Sequence, residues 1–372
     1  MNFQDPKASS VPSARVYLEP LDGLRFFAFL LVLLHHVNPP PSLRVPYAMY
    51  TIGWAGVDLF FVISSFLFFT LFRIEKQRTG RIALRDFFVR RLLRIYPLMV
   101  GAPLLFMIVM YGHYDFASAC RELALIATAT ANLTGPPWVG TSLPFTSHLW
   151  TLSFEFQVYL VLPLFFYACE RLGPNRGLVF LGVVWLVCVA LRAMHIQSPH
   201  PTIYFNPILR PDSVLLGMVL ALIRGRVAAH VLTAVACFVL ATIALFNMPP
   251  IFLPGAFHVP LYVAVAIASG AMLWLALNAP SVSRFLSWPP LVYLGKRSFG
   301  LYVFHLVGMA MAKNVLVPMM HINPANAAIL WTAQVLVTFG LTVAMAILSY
   351  RFIERPFLVM KDARAVVLSR PV

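Results

Sequence analysis

The sequence predicts an all-α polytopic membrane protein, a helical bundle of about ten transmembrane helices with both termini in the cytosol. Three observations lead there. Of 372 residues, 60% are apolar and only 11% are charged, with a mean hydropathy of +0.82; soluble domains carry roughly one-quarter charged residues. The apolar residues gather in blocks close to the ~20 residues that cross a bilayer as a helix, which leaves no room for a sizeable soluble domain. The 28 Lys and Arg, finally, are distributed unevenly between those blocks. A formal charge of +15 would suggest nucleic acid in a soluble chain; here its distribution reports membrane sidedness, and no nucleic-acid partner is expected.

Residues 1–17 are polar, with Lys7 and Arg15, and contain no short apolar core followed by a cleavage site, so they read as a cytosolic lead. Span 1 is Pro20–Val37, closed by the proline-rich connection Asn38 to Pro46. Span 2 runs from about Gly53 to Phe72 and is followed by a loop, Arg73 to Arg94, with eight basic and two acidic residues. Span 3 covers about Leu92–Tyr111. In the long connection from Gly112 to His148, the apolar piece Leu123–Leu133 is too short to span and reads as re-entrant or interfacial. Span 4 starts near Trp150 and ends by Ala168. Spans 5 to 8 follow at about Leu178–Met194, Val214–Ile223, Ala229–Phe246 and Pro260–Leu277, span 6 being short unless Pro207–Pro211 begins it. Spans 9 and 10 cover about Pro290–Met311 and Ala327–Phe352.

With the amino terminus inside, 22 of the 28 Lys and Arg lie on cytosolic segments, five lie outside and Arg25 lies within the membrane. The opposite orientation inverts that ratio, so the excess of Lys and Arg in cytosolic loops selects it. Cys120, Cys169, Cys188 and Cys237 show no pair spacing, so neither a disulfide framework nor a metal is expected. HExxH, CxxC, glycine-rich phosphate loops and G-x-S-x-G are all absent.

Ionisable residues inside spans demand a reason, because an arginine at mid-bilayer costs at least ~2.5 kcal/mol. Arg25 and His36 are separated by almost three helical turns and so share one face, roughly 16 Å apart along the axis, whereas His35 points about 80° away. Asp58 in GVDLFFVISSF and Ser153 and Glu155 in HLWTLSFEFQVYL fall near the outer surface. Ser298, Tyr302 and His305 form one stripe at helical spacing. Two clusters result: a cytosolic cationic one of Arg25, Arg90, Arg91, Arg94, Lys296 and Arg297, and an outer one that pairs a histidine with carboxylates. The arginines also suit plain topology anchors. The acids equally suit first helical turns, and the Ser-Tyr-His stripe suits interhelical hydrogen bonding. Together, however, an outer histidine and two acids form the arrangement of a general base and its orienting carboxylate.

These residues also carry a resemblance. LDGLRFFAFLLVLLHH is similar to the Arg-x10-His motif of the acyltransferase-3 family of integral membrane acyltransferases, at Arg25 and His36. GVDLFFVISSF resembles its second-helix block, with Ser65 where glycine is usual, and FFVRRLLRIYP its Arg-x-x-Arg block at Arg91 and Arg94. HLWTLSFEFQVYLVLP resembles the W-S-L-S-x-E-x-x-x-Y block at Trp150, Ser153, Glu155 and Tyr159, with Thr151 in place of serine. KRSFGLYVFH resembles the late S-x-x-L-Y-x-x-H block and IERPF the terminal E-x-P signature.

The resemblance covers about residues 17–358 and implies a cytosolic lead (1–17), a transmembrane acyltransferase domain (18–358) and a cytosolic tail (359–372). Some members carry a further esterase-like domain after the last span; ending 16 residues beyond Pro356, this chain reads as the membrane-only form. The implied activity is O-acylation, most often O-acetylation, of a sugar on a cell-envelope glycan such as an exopolysaccharide or lipopolysaccharide, in the bacterial inner membrane. Acyl-CoA (acetyl-CoA) would be a cytosolic co-substrate, and no permanently bound cofactor is expected.

Residues and resemblance point to one chemistry. Arg25, Arg91 and Arg94 would hold the phosphates of acyl-CoA. His36, held by Asp58 or Glu155, would act as general base on the sugar hydroxyl, or carry the acyl group as an acyl-imidazole. Trp150, Ser153, Ser298, Tyr302 and His305 would support the substrates. A transporter of a lipid-linked glycan or small anion is the competing class, suited by the intramembrane ionisable residues and the proline-interrupted Phe205–Pro211. The sequence leaves the acyl group, the acceptor sugar and the oligomeric state open.

Overall fold

Proline and glycine set the helix limits. The computed structural model describes residues 14–15, 17–133, 143–226, 230–323, 326–362 and 367–368. Helix α1 (Glu19–His36) has Pro20 in its first turn, where the missing N–H removes no helical bond, and ends ahead of Pro39-Pro40-Pro41. A short helix, α2 (Arg44–Ile52), and one 3-10 turn lead into α3 (Gly56–Thr79). Gly80 closes α3 at φ +74°, a left-handed conformation that glycine adopts without a Cβ clash.

The chain continues through α4 (Leu84–Val109), α5 (Phe116–Ala127), α6 (Trp150–Leu172), α7 (Pro174–Ala193) and the single turn α8 (Thr202–Phe205). Next come α9 (Asp212–Ile223), α10 (Val231–Phe246), α11 (His258–Asn278), α12 (Pro280–Leu286) and α13 (Pro289–Lys296). The last helices are α14 (Ser298–Met311), α15 (Val317–Met319), α16 (Ala327–Ser349) and α17 (Arg355–Asp362), with π-helical segments at Ala312–Leu316 and Tyr350–Glu354. Ala14–Arg15 and Val367–Leu368 form a two-residue parallel pairing; otherwise the described residues are helical or irregular.

Seven helical stretches among the described residues are long and apolar enough to cross a membrane: Arg44–Thr79, Leu84–Val109, Ser147–Leu172, Pro174–Ala193, His258–Asn278, Ser298–Met319 and Ala327–Asp362. The other three predicted spans are helices as well. Of these, α9 has 12 residues and α10 has 16, while α1 carries Glu19, Asp22 and Arg25.

The structure alters the expected boundaries in several places. The supposed loop from Arg73 to Arg94 is almost entirely helix, because α3 extends to Thr79 and α4 begins at Leu84; alternating basic and apolar residues favour helix as readily as loop. Span 9 is two helices, broken at Arg297 between α13 and α14. In the long connection the helix is α5, placed earlier than the apolar piece Leu123–Leu133 and capped by the Asp115 carboxylate, which accepts from the Ser118 N–H at 2.8 Å. Residues 1–13 and 16 of the expected lead, and 363–366 and 369–372 of the tail, lie outside the described residues. Residues 359–362, assigned to the tail, belong to α17.

The bundle is built around α3 and α11, whose most apolar windows are 72% and 61% buried, with α7 and α16 at the rim at 22% each. In lipid, helices associate through close backbone approach and side-chain packing. A Cβ added at Gly295 would meet the Asp22 carbonyl oxygen at 1.8 Å, so this glycine lets α13 lie against α1. Gly217 does the same between α9 and α3, where an added Cβ would fall 2.0 Å from Ser65 Oγ. Ser65 spends its hydroxyl locally, donating to the Phe61 and Val62 carbonyls at 2.8 and 3.3 Å. Aromatic rings fill the centre: Phe61 stacks on Phe154 at 4.4 Å, and Phe72 meets Phe87 and Phe166 edge-on.

Candidate functional site

One cavity joins most of the residues singled out above. Arg25 from α1, Arg91 and Arg94 from α4, and Lys296 from α13 line it, with Asp22 and Tyr17 beside them. Ser64 from α3, Glu155 and Tyr159 from α6, and Ser298 from α14 line it as well, and it reaches Thr151 and Tyr302. Helical periodicity explains the convergence: Arg91 and Arg94 sit one turn apart on α4, as do Glu155 and Tyr159 on α6.

The cations meet both carboxylates and aromatic rings. Arg25 pairs with Asp22 at 3.0 Å, and Asp22 also accepts from the Tyr17 hydroxyl at 3.0 Å. Arg94 lies 3.6 Å from Glu354, the acid of the E-x-P signature. The Arg91 guanidinium lies over the Phe68 ring, 4.3 Å from its centroid. Arg90 and Arg297 leave the expected cluster. Arg90 turns to Glu75 at 3.7 Å, and Arg297 stacks on Tyr293 and Tyr350 at 3.5 and 4.6 Å, which suits anchoring rather than the cavity.

Beyond Tyr302 stand three imidazoles in a row. The His305 ring centre is 4.8 Å from that of His36 and 4.8 Å from that of His148. Tyr302 forms the partition between this row and the cavity. Its hydroxyl is 2.8 Å from Thr151 Oγ1 and donates to the His148 carbonyl at 3.1 Å, and its ring is 5.1 Å from the His148 ring.

His36 Nδ1 is 2.8 Å from the Val32 carbonyl, and His305 Nδ1 is 2.6 Å from the Tyr302 carbonyl. A carbonyl only accepts, so in each ring Nδ1 carries the hydrogen, and in the neutral imidazole Nε2 then carries the lone pair. His305 Nε2 is buried without a hydrogen-bond partner among the described residues. His35 faces elsewhere, stacked on Tyr50 and hydrogen-bonded to its carbonyl at 2.7 Å.

The two acids expected to orient His36 are turned away from it. Asp58 forms a buried ion pair with Arg210 and accepts from the Ser213 hydroxyl at 2.8 Å. Glu155 accepts from Ser64 at 2.9 Å and from the Tyr159 hydroxyl, inside the cavity. The Val32 carbonyl, one turn back on the same helix, takes the orienting place expected of a carboxylate. Trp150 packs on Phe205 and Tyr204 at 4.2 and 4.9 Å, and Ser153 is buried with its hydroxyl unpartnered among the described residues; neither lines the cavity.

Sequence reasoning missed His148, which opens the HLW block but was assigned to the end of a connection. It also missed the ion pairs Arg210–Asp58 and Arg192–Asp212, the latter receiving the Trp185 N–H at 2.8 Å as well. Their signal was present: Arg210 and Asp212 are opposite charges two residues apart at the head of a weak span. Arg192 and Arg210, two of the five basic residues that the expected topology places outside, are almost completely buried. Among the described residues no group of three or more His, Cys, Asp or Glu side chains is arranged to hold a metal ion.

Comparison with known proteins bears on this geometry. A family model described as an acyltransferase domain matches residues 19–351. O-acetyltransferase OatA of Staphylococcus aureus is 27% identical over 364 residues, covering 91% of this chain and 57% of that protein. Peptidoglycan O-acetyltransferase OatA of Listeria monocytogenes is 24% identical over 375 residues, covering 92% of this chain and 56% of that protein. A putative O-acetyltransferase of Staphylococcus aureus is 27% identical over 370 residues, again with 92% and 57% covered. The chain thus spans little more than half the length of these relatives. No solved structure matches it.

Proposed function

The chain belongs to the acyltransferase-3 family of membrane acyltransferases, and from that premise we propose that it is an O-acetyltransferase of the cell envelope. It takes an acetyl group from cytosolic acetyl-CoA and delivers it to a sugar hydroxyl at the outer face of the bacterial inner membrane, through ten spans with both termini inside. The observation that carries this reading is the cavity running from Arg25, Arg91, Arg94 and Lys296 to the Tyr302–Thr151 partition, with His36 and His305 immediately beyond. Cations at one end suit the donor's phosphates. A base with an available lone pair at the other suits the acceptor.

The chemistry follows from the residues. The thioester arm lies along Ser298 and Glu155 and presents its carbonyl at Tyr302. His36 Nε2 accepts the proton of the sugar hydroxyl, whose oxygen attacks the thioester carbonyl carbon. The C–O bond forms, the C–S bond breaks, and the thiol leaves with the proton that His36 took up. Transfer by way of an acyl-imidazole uses the same atoms in two steps. Asp58 drops out of this scheme as a structural ion-pair partner, and Glu155 becomes a residue of the donor cavity. The relatives' names support acetyl as the acyl group, and the Listeria relative's name adds peptidoglycan to the acceptors to be tried.

Two measurements test the reading: binding of labelled acetyl-CoA to the purified protein, and mass spectrometry of envelope glycans from cells with and without it. Binding together with a protein-dependent acetyl mass supports it. Binding without any change in glycan acetylation, or no binding, removes it, and glycan that fails to reach the surface would favour transport.

A further inference from the structure

The cavity has a cation that neither the spans expected from sequence nor their motifs supply. Helix α17 follows the π-helical Tyr350–Glu354, and Glu354 at its start is tied to Arg94 at 3.6 Å. That tie and direct packing set α17 against α4, the helix that carries Arg91 and Arg94. Leu358 and Lys361, three residues apart and so on one helical face, both line the cavity. Between them Val359 and Met360 point outward, each more than half exposed.

We propose that α17 forms part of the donor site and that Lys361 binds the phosphates on the nucleotide half of a coenzyme A thioester. The proposal rests on the donor reading above and extends it to the last turn of the chain's final long helical stretch, Ala327–Asp362.

A lysine that served only to anchor a span would carry its ammonium out to water along its flexible stem. Lys361 does the reverse: it is 8% exposed and turned into the cavity. Burying an ammonium costs several kcal/mol unless charge compensates it. Among the described residues its ammonium bonds the carboxylate of its neighbour Asp362, at 2.8 Å, whose side chain is the more exposed of the two. With Arg25, Arg91, Arg94 and Lys296 it makes five cations around one cavity; Asp22 and Glu155 line it too, and Glu354 and Asp362 pair with Arg94 and Lys361 from its edge. Five cations converging on one space suit a ligand that carries several phosphates. The nucleotide half of coenzyme A offers a pyrophosphate and a separate phosphate monoester, whereas the pantetheine arm that enters between Glu155 and Ser298 offers none.

The test compares two ligands on the purified full-length protein in detergent: coenzyme A, and pantetheine, which lacks the nucleotide. Wild type should bind coenzyme A more tightly than pantetheine. Lys361→Met should weaken coenzyme A by about tenfold or more, the scale of one charge-assisted contact, and leave pantetheine unchanged. Lys361→Arg should restore most of the loss, which a misfolded protein would not do. An unchanged affinity for coenzyme A in Lys361→Met overturns the proposal while the donor reading stands. An equal loss for both ligands also overturns it, because a phosphate contact cannot affect pantetheine. If wild type binds no coenzyme A, the donor reading falls and this proposal with it.

Discussion

Replacing Asp58 separates a structural acid from a catalytic one. Asp58 and Arg210 are each 1% exposed, and Arg210 is further fixed by its donation to the Tyr204 carbonyl at 3.1 Å and by three surrounding rings, Trp54, Tyr204 and Tyr262. Asp58→Ala leaves a guanidinium buried among aromatics with no counter-ion, which typically costs about 3–5 kcal/mol. It also strands the Ser213 hydroxyl, adding about 1 kcal/mol. Removing both charges is far milder, since a buried pair replaced by apolar groups of similar size is often neutral. Asp58→Ala should therefore lower the unfolding midpoint of the detergent-solubilised protein by several degrees and reduce the monodisperse fraction. Asp58→Ala combined with Arg210→Met should recover most of both, with acetyl transfer returning in step. The reasoning is refuted if Asp58→Ala is as stable as wild type but inactive, or if the double variant is stable and still inactive; either result would return the carboxylate to the chemistry.

Three further outcomes follow from the site. His36→Ala should abolish glycan acetylation in cells at normal membrane abundance, while His35→Ala, which loses a stacking partner and one hydrogen bond at Tyr50, should retain substantial activity; the reverse pattern would remove His36 as the base. Arg91→Ala should raise the apparent KM for acetyl-CoA by roughly one to two orders of magnitude, from ~1.5–3 kcal/mol for an arginine–phosphate contact, and leave the acceptor KM near wild type; unchanged donor kinetics would leave Arg91 an anchor. In a background lacking the four native cysteines, Val45→Cys, at a position 70% exposed before α3, should react with an impermeant thiol reagent in intact cells, and Arg81→Cys, in the turn after it, should not. Labelling of Arg81→Cys alone would put the cavity's cations outside and end the proposal of a cytosolic donor.

Much of the bundle was legible because lipid imposes a simple rule: apolar blocks of sufficient length, bounded by proline and glycine, become helices. Where that rule weakens, the expectation slipped. The basic run after Phe72 looked like loop because charge excludes it from the bilayer, yet nothing in it opposes helix, and α3 and α4 extend through it. The break at Arg297 falls on the polar run Lys296-Arg297-Ser298, directly after Gly295 brings α13 against α1. In the site, faces of single helices could be read: Arg25 lines the cavity and His36, three turns on along the same helix, stands in the imidazole row beyond it. Pairings between helices could not. That Asp58 would find Arg210, and Glu155 would find Ser64, depends on which helices are neighbours, and periodicity within one helix carries no information about its neighbour.

The two buried ion pairs have a consequence for how the chain is made. Asp58 is synthesised 152 residues before Arg210, and Arg192 appears 20 residues before Asp212. Both partners arrive in one short stretch, Arg210 to Asp212, at the entrance to α9. Until that stretch leaves the ribosome, the bilayer holds a helix with a lone carboxylate and another with a lone guanidinium, each costly in hydrocarbon. The insertion machinery, or water and headgroups at the bilayer edge, must shelter them throughout that interval. Nascent chains cut before residue 210 should be targets of membrane quality control, and those cut after α9 should escape it, which would make the entry of this short helix the moment at which the first half of the protein becomes committed to its fold.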